Sequence, residues 1–67
     1  MNQNEMLEEY LKNHEGITPL EALNELGIYR LSARVSDLRQ AGVEVKREMV
    51  TVVNRLGKPV KVARYFL

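Results

Sequence analysis

The sequence predicts a small α+β fold in which three short helices are followed by a C-terminal β-hairpin. Apolar residues recur at helical spacing over the first forty positions, and glycines separate the segments. After Gly42 the composition changes to β-branched and aromatic residues, which favour strands. A chain of 67 residues is the size of one domain, so residues 1–67 are predicted to form a single unit.

The first helix is predicted from about Asn4 to Asn13, because its apolar residues share one stripe while its glutamates face water. Gly16 is predicted to end it. The second helix has the clearest start signal in the chain. Thr18 suits the N-cap, Pro19 suits the first helical position, and Glu21 stands at capping-box spacing. Gly27 is predicted to end this helix.

The third helix is predicted to start near Arg30 or Leu31 and to run to about Ala41, with Gly42 as its C-cap. Tyr29 in the preceding turn is predicted to pack, with a phosphate contact as the weaker alternative. The expected core members on the second and third helices lie at apolar helical positions: Leu20, Leu23, Leu26, Leu31, Val35 and Leu38.

The hairpin is predicted from two valine-rich runs on either side of Asn54–Pro59, where Asn, Gly and Pro mark a turn. Val52 and Val53 are both apolar, so the alternation leaves the register open. Ile17 is placed to add a short strand to this hairpin. Helix, helix, helix and hairpin is the element order of a winged helix-turn-helix domain.

Charge divides the chain into an acidic and a basic half. Residues 1–26 carry six glutamates against Lys12, a net of −5, whereas residues 27–67 carry a net of +6. The basic half suits an anionic partner, although ordinary solvated charge explains the same counts.

Several function classes lack support in the sequence. There is no cysteine, His14 is the only histidine, and no phosphate-binding or metal-ligand spacing occurs. We therefore expect no enzyme, no metal, no cofactor and no small-molecule substrate. No apolar run is long enough to span a membrane, and the N-terminus lacks a signal-peptide pattern, so we expect a cytoplasmic protein with no membrane partner.

Double-stranded DNA is the predicted partner. A recognition helix needs small or polar residues near its N-terminus so that its backbone can enter the major groove. The hairpin tip supplies further cations for the DNA backbone. The predicted contacts are Arg30, Ser32, Ala33, Arg34, Ser36, Arg55, Lys58 and Lys61.

Ordinary structural roles also explain several of these basic residues. Arg34 has Asp37 three residues away, the spacing of a helical salt bridge. Arg39 is expected to cap carbonyls at the helix end, with a contact to the DNA backbone as the alternative. Lys61 and Arg64 could protect an edge strand as well as extend a basic strip. Surface pairing with Glu44 and Glu48 explains the two cations between them, Lys46 and Arg47.

The chain resembles a family of small phage and prophage proteins of the winged helix-turn-helix type. The resemblance covers residues 17–67, about three-quarters of the chain. It is carried by Ile17–Ala22, Gly27–Val35, Asp37-Leu38, Gly42, Asn54–Lys58 and Ala63–Tyr65. It implies a regulatory or excisionase-like accessory role on the DNA of a mobile element.

The competing hypothesis is a protein-interaction module of a mobile element that inhibits a host factor, since the acidic first helix could face a basic host protein. A homodimer or a cooperative array on DNA is a further expectation, because one small module rarely gives high specificity. A third, structural alternative is a dimer that forms without DNA and has no charge-dependent partner. Tyr65-Phe66-Leu67 suits either closure of the core or a dimer contact.

Overall fold

The computed structural model describes residues 1–67 and confirms the predicted fold class. Three helices, α1 (Gln3–Asn13), α2 (Pro19–Leu26) and α3 (Leu31–Gln40), precede the strands β1 (Lys46–Val53) and β2 (Pro59–Phe66). The two strands form one antiparallel sheet. No helix has the length and apolar character needed to cross a bilayer.

The prediction that Gly16 ends α1 is wrong. The helix ends at Asn13, and His14 is already extended with its ring stacked on Tyr10 at 3.8 Å between centroids. Gly16 is instead buried against β2, where an added Cβ would lie 2.9 Å from the Tyr65 carbonyl oxygen. Its role is therefore to let two backbone segments approach closely.

The predicted caps of α2 are present. The Glu21 N–H donates to Thr18 Oγ1 at 3.4 Å, and the Thr18 N–H donates to Glu21 Oε1 at 2.9 Å, which completes the capping box. At the other end Gly27 is left-handed, with φ of 68°, and its N–H donates to the Leu23 carbonyl. The helix is thus fixed at both ends by local contacts.

The structure defines the register of the hairpin, which the sequence left open. Lys46 lies opposite Phe66 and Val53 opposite Pro59. Asn54 organises the tip, because its side-chain oxygen accepts from the N–H groups of Leu56 (2.9 Å) and Lys58 (3.0 Å).

The predicted short strand at Ile17 exists as a single bridge to Tyr65. The Ile17 N–H donates to the Tyr65 carbonyl at 2.8 Å, and the Tyr65 N–H donates back to the Ile17 carbonyl at 2.9 Å. Both side chains are buried. This bridge attaches the base of the hairpin to the helical body.

The core contains ten buried apolar side chains drawn from every helix, from the α2–α3 turn and from the hairpin base. The predicted burial of Leu20 and Leu23 is wrong, since they are 65% and 38% exposed. Ala22 is the buried residue of α2, and Leu20 lies about 160° around the helix from it. The buried positions of α3 are those predicted: Leu31, Val35 and Leu38.

Candidate nucleic-acid interface

The outward face of α3 carries small polar side chains. Ser32 and Ser36, one turn apart, are exposed, while the opposite face is buried in the core. Ala33 is partly covered. With no bulky residue between the two serines and the solvent, another surface can approach the backbone of this helix closely.

The entrance to α3 is exposed and cationic. Arg30 is the N-cap residue, but its side chain makes no cap hydrogen bond and no salt bridge, so its guanidinium is free. Tyr29 beside it is 85% exposed, and the prediction that it packs is therefore wrong. The buried residue of this turn is Ile28, which anchors the turn and leaves its two neighbours in solvent. The Tyr29 hydroxyl is thus available as a hydrogen-bond donor, which suits the weaker alternative of a phosphate contact.

Arg34 is engaged within the protein. Its Nε lies 3.1 Å from Asp37 Oδ2, and its Nη1 donates to Gln3 Oε1 of α1 at 3.4 Å. The Nε–H is not aimed at the carboxylate, so the contact is an ion pair without hydrogen-bond geometry. The side chain is 33% exposed and faces α1. The alternative role as a salt-bridge partner is the one that this geometry supports.

Arg39 contacts a carbonyl beyond its own helix. Its Nε and Nη2 both donate to the Val45 carbonyl, at 3.0 Å and 2.8 Å. Val45 immediately precedes β1, so this guanidinium links the end of α3 to the start of the hairpin. The expected cap on the carbonyls of the helix end is therefore wrong, since the side chain bonds to a carbonyl of the connection to β1.

The hairpin tip holds its cations in solvent. Arg55 and Lys58 are exposed in the loop that Asn54 organises, and Lys61 is exposed on β2 opposite Thr51. None of the three cations forms a salt bridge. Because β1 spans roughly 23 Å at about 3.3 Å per residue, the hairpin carries these charges well away from its base.

The cations at the hairpin base differ from those at the tip. Arg64 Nη1 donates to Glu48 Oε1 at 2.8 Å, directly across the strand pair, so Arg64 does not extend a free basic strip. The predicted pairing of Lys46 and Arg47 with the flanking glutamates is wrong, since neither cation lies within salt-bridge distance of an acid. Arg47 and Glu48 are adjacent on β1 and point to opposite faces, whereas Glu48 and Arg64 lie directly opposite each other and share one face.

The arrangement thus provides two clusters of unpaired polar groups. One cluster is the start and outer face of α3 with Arg30, and the other is the hairpin tip with Arg55 and Lys58. The loop between α2 and α3 has four residues and contains a left-handed glycine, as the turn of a helix-turn-helix unit does. No group of three or more acidic or histidine side chains is placed to hold a metal ion.

The family model of the winged helix-turn-helix domain matches residues 2–67. The chain belongs to this family. Within the winged helix-turn-helix domain, α2 and α3 form the helix-turn-helix unit, and the β1–β2 hairpin, called the wing below, follows them. Membership indicates DNA binding and a domain type that is typically not enzymatic. No curated protein and no solved structure matched the chain.

Proposed function

We propose that this winged helix-turn-helix domain binds double-stranded DNA with α3 in the major groove and the wing on the adjacent sugar–phosphate backbone. It would act in the cytoplasm as a transcriptional regulator or an excisionase-like accessory factor of a phage or prophage. The observation that carries the DNA proposal is the outer face of α3, where Ser32 and Ser36 are exposed and Arg30 is unpaired at its start.

Each part of the proposed interface has a distinct task. Ser32, Ala33 and Ser36 allow the helix backbone to approach the base edges, which larger side chains would prevent. Arg30 reaches a guanine edge or a phosphate, and the Tyr29 hydroxyl donates to a phosphate. The wing supplies sequence-independent contacts through its unpaired cations: Arg55, Lys58 and Lys61. Arg34 has a supporting role, since its hydrogen bond to Gln3 links α3 to α1 while Asp37 holds its guanidinium from within α3.

The test compares three single-charge losses in binding to a labelled duplex of random sequence, measured by fluorescence anisotropy at low salt. Arg30→Ala and Arg55→Ala are expected to weaken binding severalfold each. Lys12→Ala is the matched control, because it removes one charge from the acidic half, where Lys12 pairs with Glu8. Equal affinities for all four proteins would contradict the proposed interface.

The specific role requires DNA of a mobile element. A regulator is expected to bind operator-region duplex from such an element more tightly than random duplex. Ser36→Glu, which places an acid on the outer face of α3, is expected to abolish this additional affinity. The competing role, inhibition of a host protein, is favoured by the net −5 of residues 1–26. That role predicts a complex with a basic protein in the absence of DNA, weakened by charge reversal at Glu5 and Glu9, which are exposed on α1.

A further inference from the structure

An open groove of about 820 Å³ separates the start of α2 from one face of the wing. Thr18, Pro19 and Leu20 lie on the helical side. The opposite side is formed by two directly opposed valine pairs of the hairpin: Val50 with Val62, and Val52 with Val60.

The groove leaves apolar side chains uncovered on both walls. Leu20 is 65% exposed on the α2 wall, and Val52 and Val60 are each 38% exposed on the wing wall. The paired valines point to the same face of the sheet, so they form one continuous apolar strip. Leu20 and this strip are therefore available for contact with another molecule.

Charge differs between the two walls. The α2 wall carries Glu21, and the tip end of the wing wall carries the unpaired Arg55. Each wall therefore combines apolar side chains with charge. Glu21 is opposite in sign to Arg55, and the second cation of the wing wall, Arg64, is already paired with Glu48. The walls complement each other chemically, but the groove holds them apart within one molecule.

We infer that a second copy of this chain occupies the groove and forms a two-fold symmetric dimer. In such a dimer the α2 wall of each copy packs on the wing wall of the other, with Leu20 against Val52 and Val60 and with Glu21 facing Arg55. A two-fold interface uses the same patch on both copies, so it requires a patch that complements itself, as these walls do in apolar character and in charge. The inference does not rest on DNA binding.

The test measures association of the full chain by sedimentation equilibrium over a concentration series, without DNA. We expect a reversible monomer–dimer equilibrium. Leu20→Ser is expected to raise the dimer dissociation constant about tenfold or more, because the substitution occurs twice in each dimer. Val60→Thr, which conserves shape, is expected to raise it less. Leu56→Ser is the matched control, since Leu56 is 80% exposed but lies outside the groove.

Charge provides an independent test. Arg55→Glu would place an acid opposite Glu21 of the other copy and is expected to weaken the dimer severalfold at low salt, with a smaller effect at high salt.

A wild-type chain that stays monomeric over the whole series would overturn the inference. It would also be overturned by a dimer that Leu20→Ser and Val60→Thr leave unchanged, or by one that Leu56→Ser weakens equally. A wild-type chain that stays monomeric but binds another protein through this groove would assign the groove to that partner instead. Loss of the dimer in Leu20→Ser, which lies outside the proposed DNA contacts, with retained duplex binding would separate this inference from the proposed function.

Discussion

Replacing Gly16 with alanine tests how the wing is attached to the helical body. The added Cβ would lie 2.7 Å from Arg64 Cζ and 2.9 Å from the Tyr65 carbonyl oxygen. The Arg64 side chain can rotate away, at the loss of its ion pair with Glu48. The carbonyl cannot retreat easily, because it accepts the Ile17 N–H at 2.8 Å.

Overpacking of this kind costs about 1–3 kcal/mol of unfolding free energy. For a domain of this size each kcal/mol lowers the Tm by about 4–8 °C, so Gly16→Ala is expected to lower it by roughly 5–20 °C. Thermal unfolding followed by circular dichroism measures the shift. The control is Gly16→Ala combined with Arg64→Ala, compared with Arg64→Ala alone. That background removes the side-chain conflict and keeps the one with the Tyr65 carbonyl.

We expect only part of the stability loss to disappear in the Arg64→Ala background. A Gly16→Ala protein that melts at the wild-type temperature would refute the reasoning, because it would mean that the two backbone segments can separate at no cost. Complete recovery in the double variant would place the whole conflict on the Arg64 side chain and not on the bridge between Ile17 and Tyr65.

Three further predictions follow from caps, charges and burial. Thr18→Ala removes the N-cap of α2 and is expected to cost about 1 kcal/mol in urea unfolding, whereas Thr18→Ser is expected to retain most of the stability. In duplex binding, phosphate contacts by the four unpaired cations Arg30, Arg55, Lys58 and Lys61 would give a slope of log K against log salt of about −3.6, and Arg55→Ala should reduce its magnitude to about 2.7; an unchanged slope would remove Arg55 from the DNA contacts. Burial, with a smaller contribution from the charges of Glu21 and Glu25, raises the pKa of Tyr10 above 10.0, so the unfolded chain ionises first and stability should fall as pH rises beyond 10.0. Tyrosinate absorbance referenced to Tyr10→Phe measures this pKa, which Glu25→Gln should lower; a midpoint at or below 10.0 would contradict the assignment.

Features that depend on local sequence could be predicted. The capping box of Thr18 and Glu21 involves residues three positions apart, and Gly27 ends α2 through its own left-handed conformation. The hairpin turn is similarly local, because Asn54 bonds to N–H groups within four residues. The family was accessible for the same reason, since these markers fix the order and spacing of the elements.

Features set by distant contacts could not be predicted. Gly16 has the composition of a helix terminator, but its actual environment is created by β2, nearly fifty residues away. Leu20 matches a helical apolar pattern, yet it lies on the side of α2 opposite the buried Ala22, and only the tertiary packing decides which side is covered. In the candidate site, the three-residue spacing to Asp37 indicated the ion pair of Arg34, but nothing in the sequence indicated its hydrogen bond to Gln3. Only the packing of α1 against α3 places Gln3 beside Arg34, whereas Arg30 remains free.

The two hydrogen bonds from Arg39 to the Val45 carbonyl have a mechanical consequence. They fasten the short connection between α3 and β1, which would otherwise act as a hinge. On the proposed DNA, α3 and the wing would then move as one rigid unit, with a fixed distance between their DNA contacts. Such a unit would discriminate between duplexes by groove width and helical phase, including at base pairs that no side chain touches.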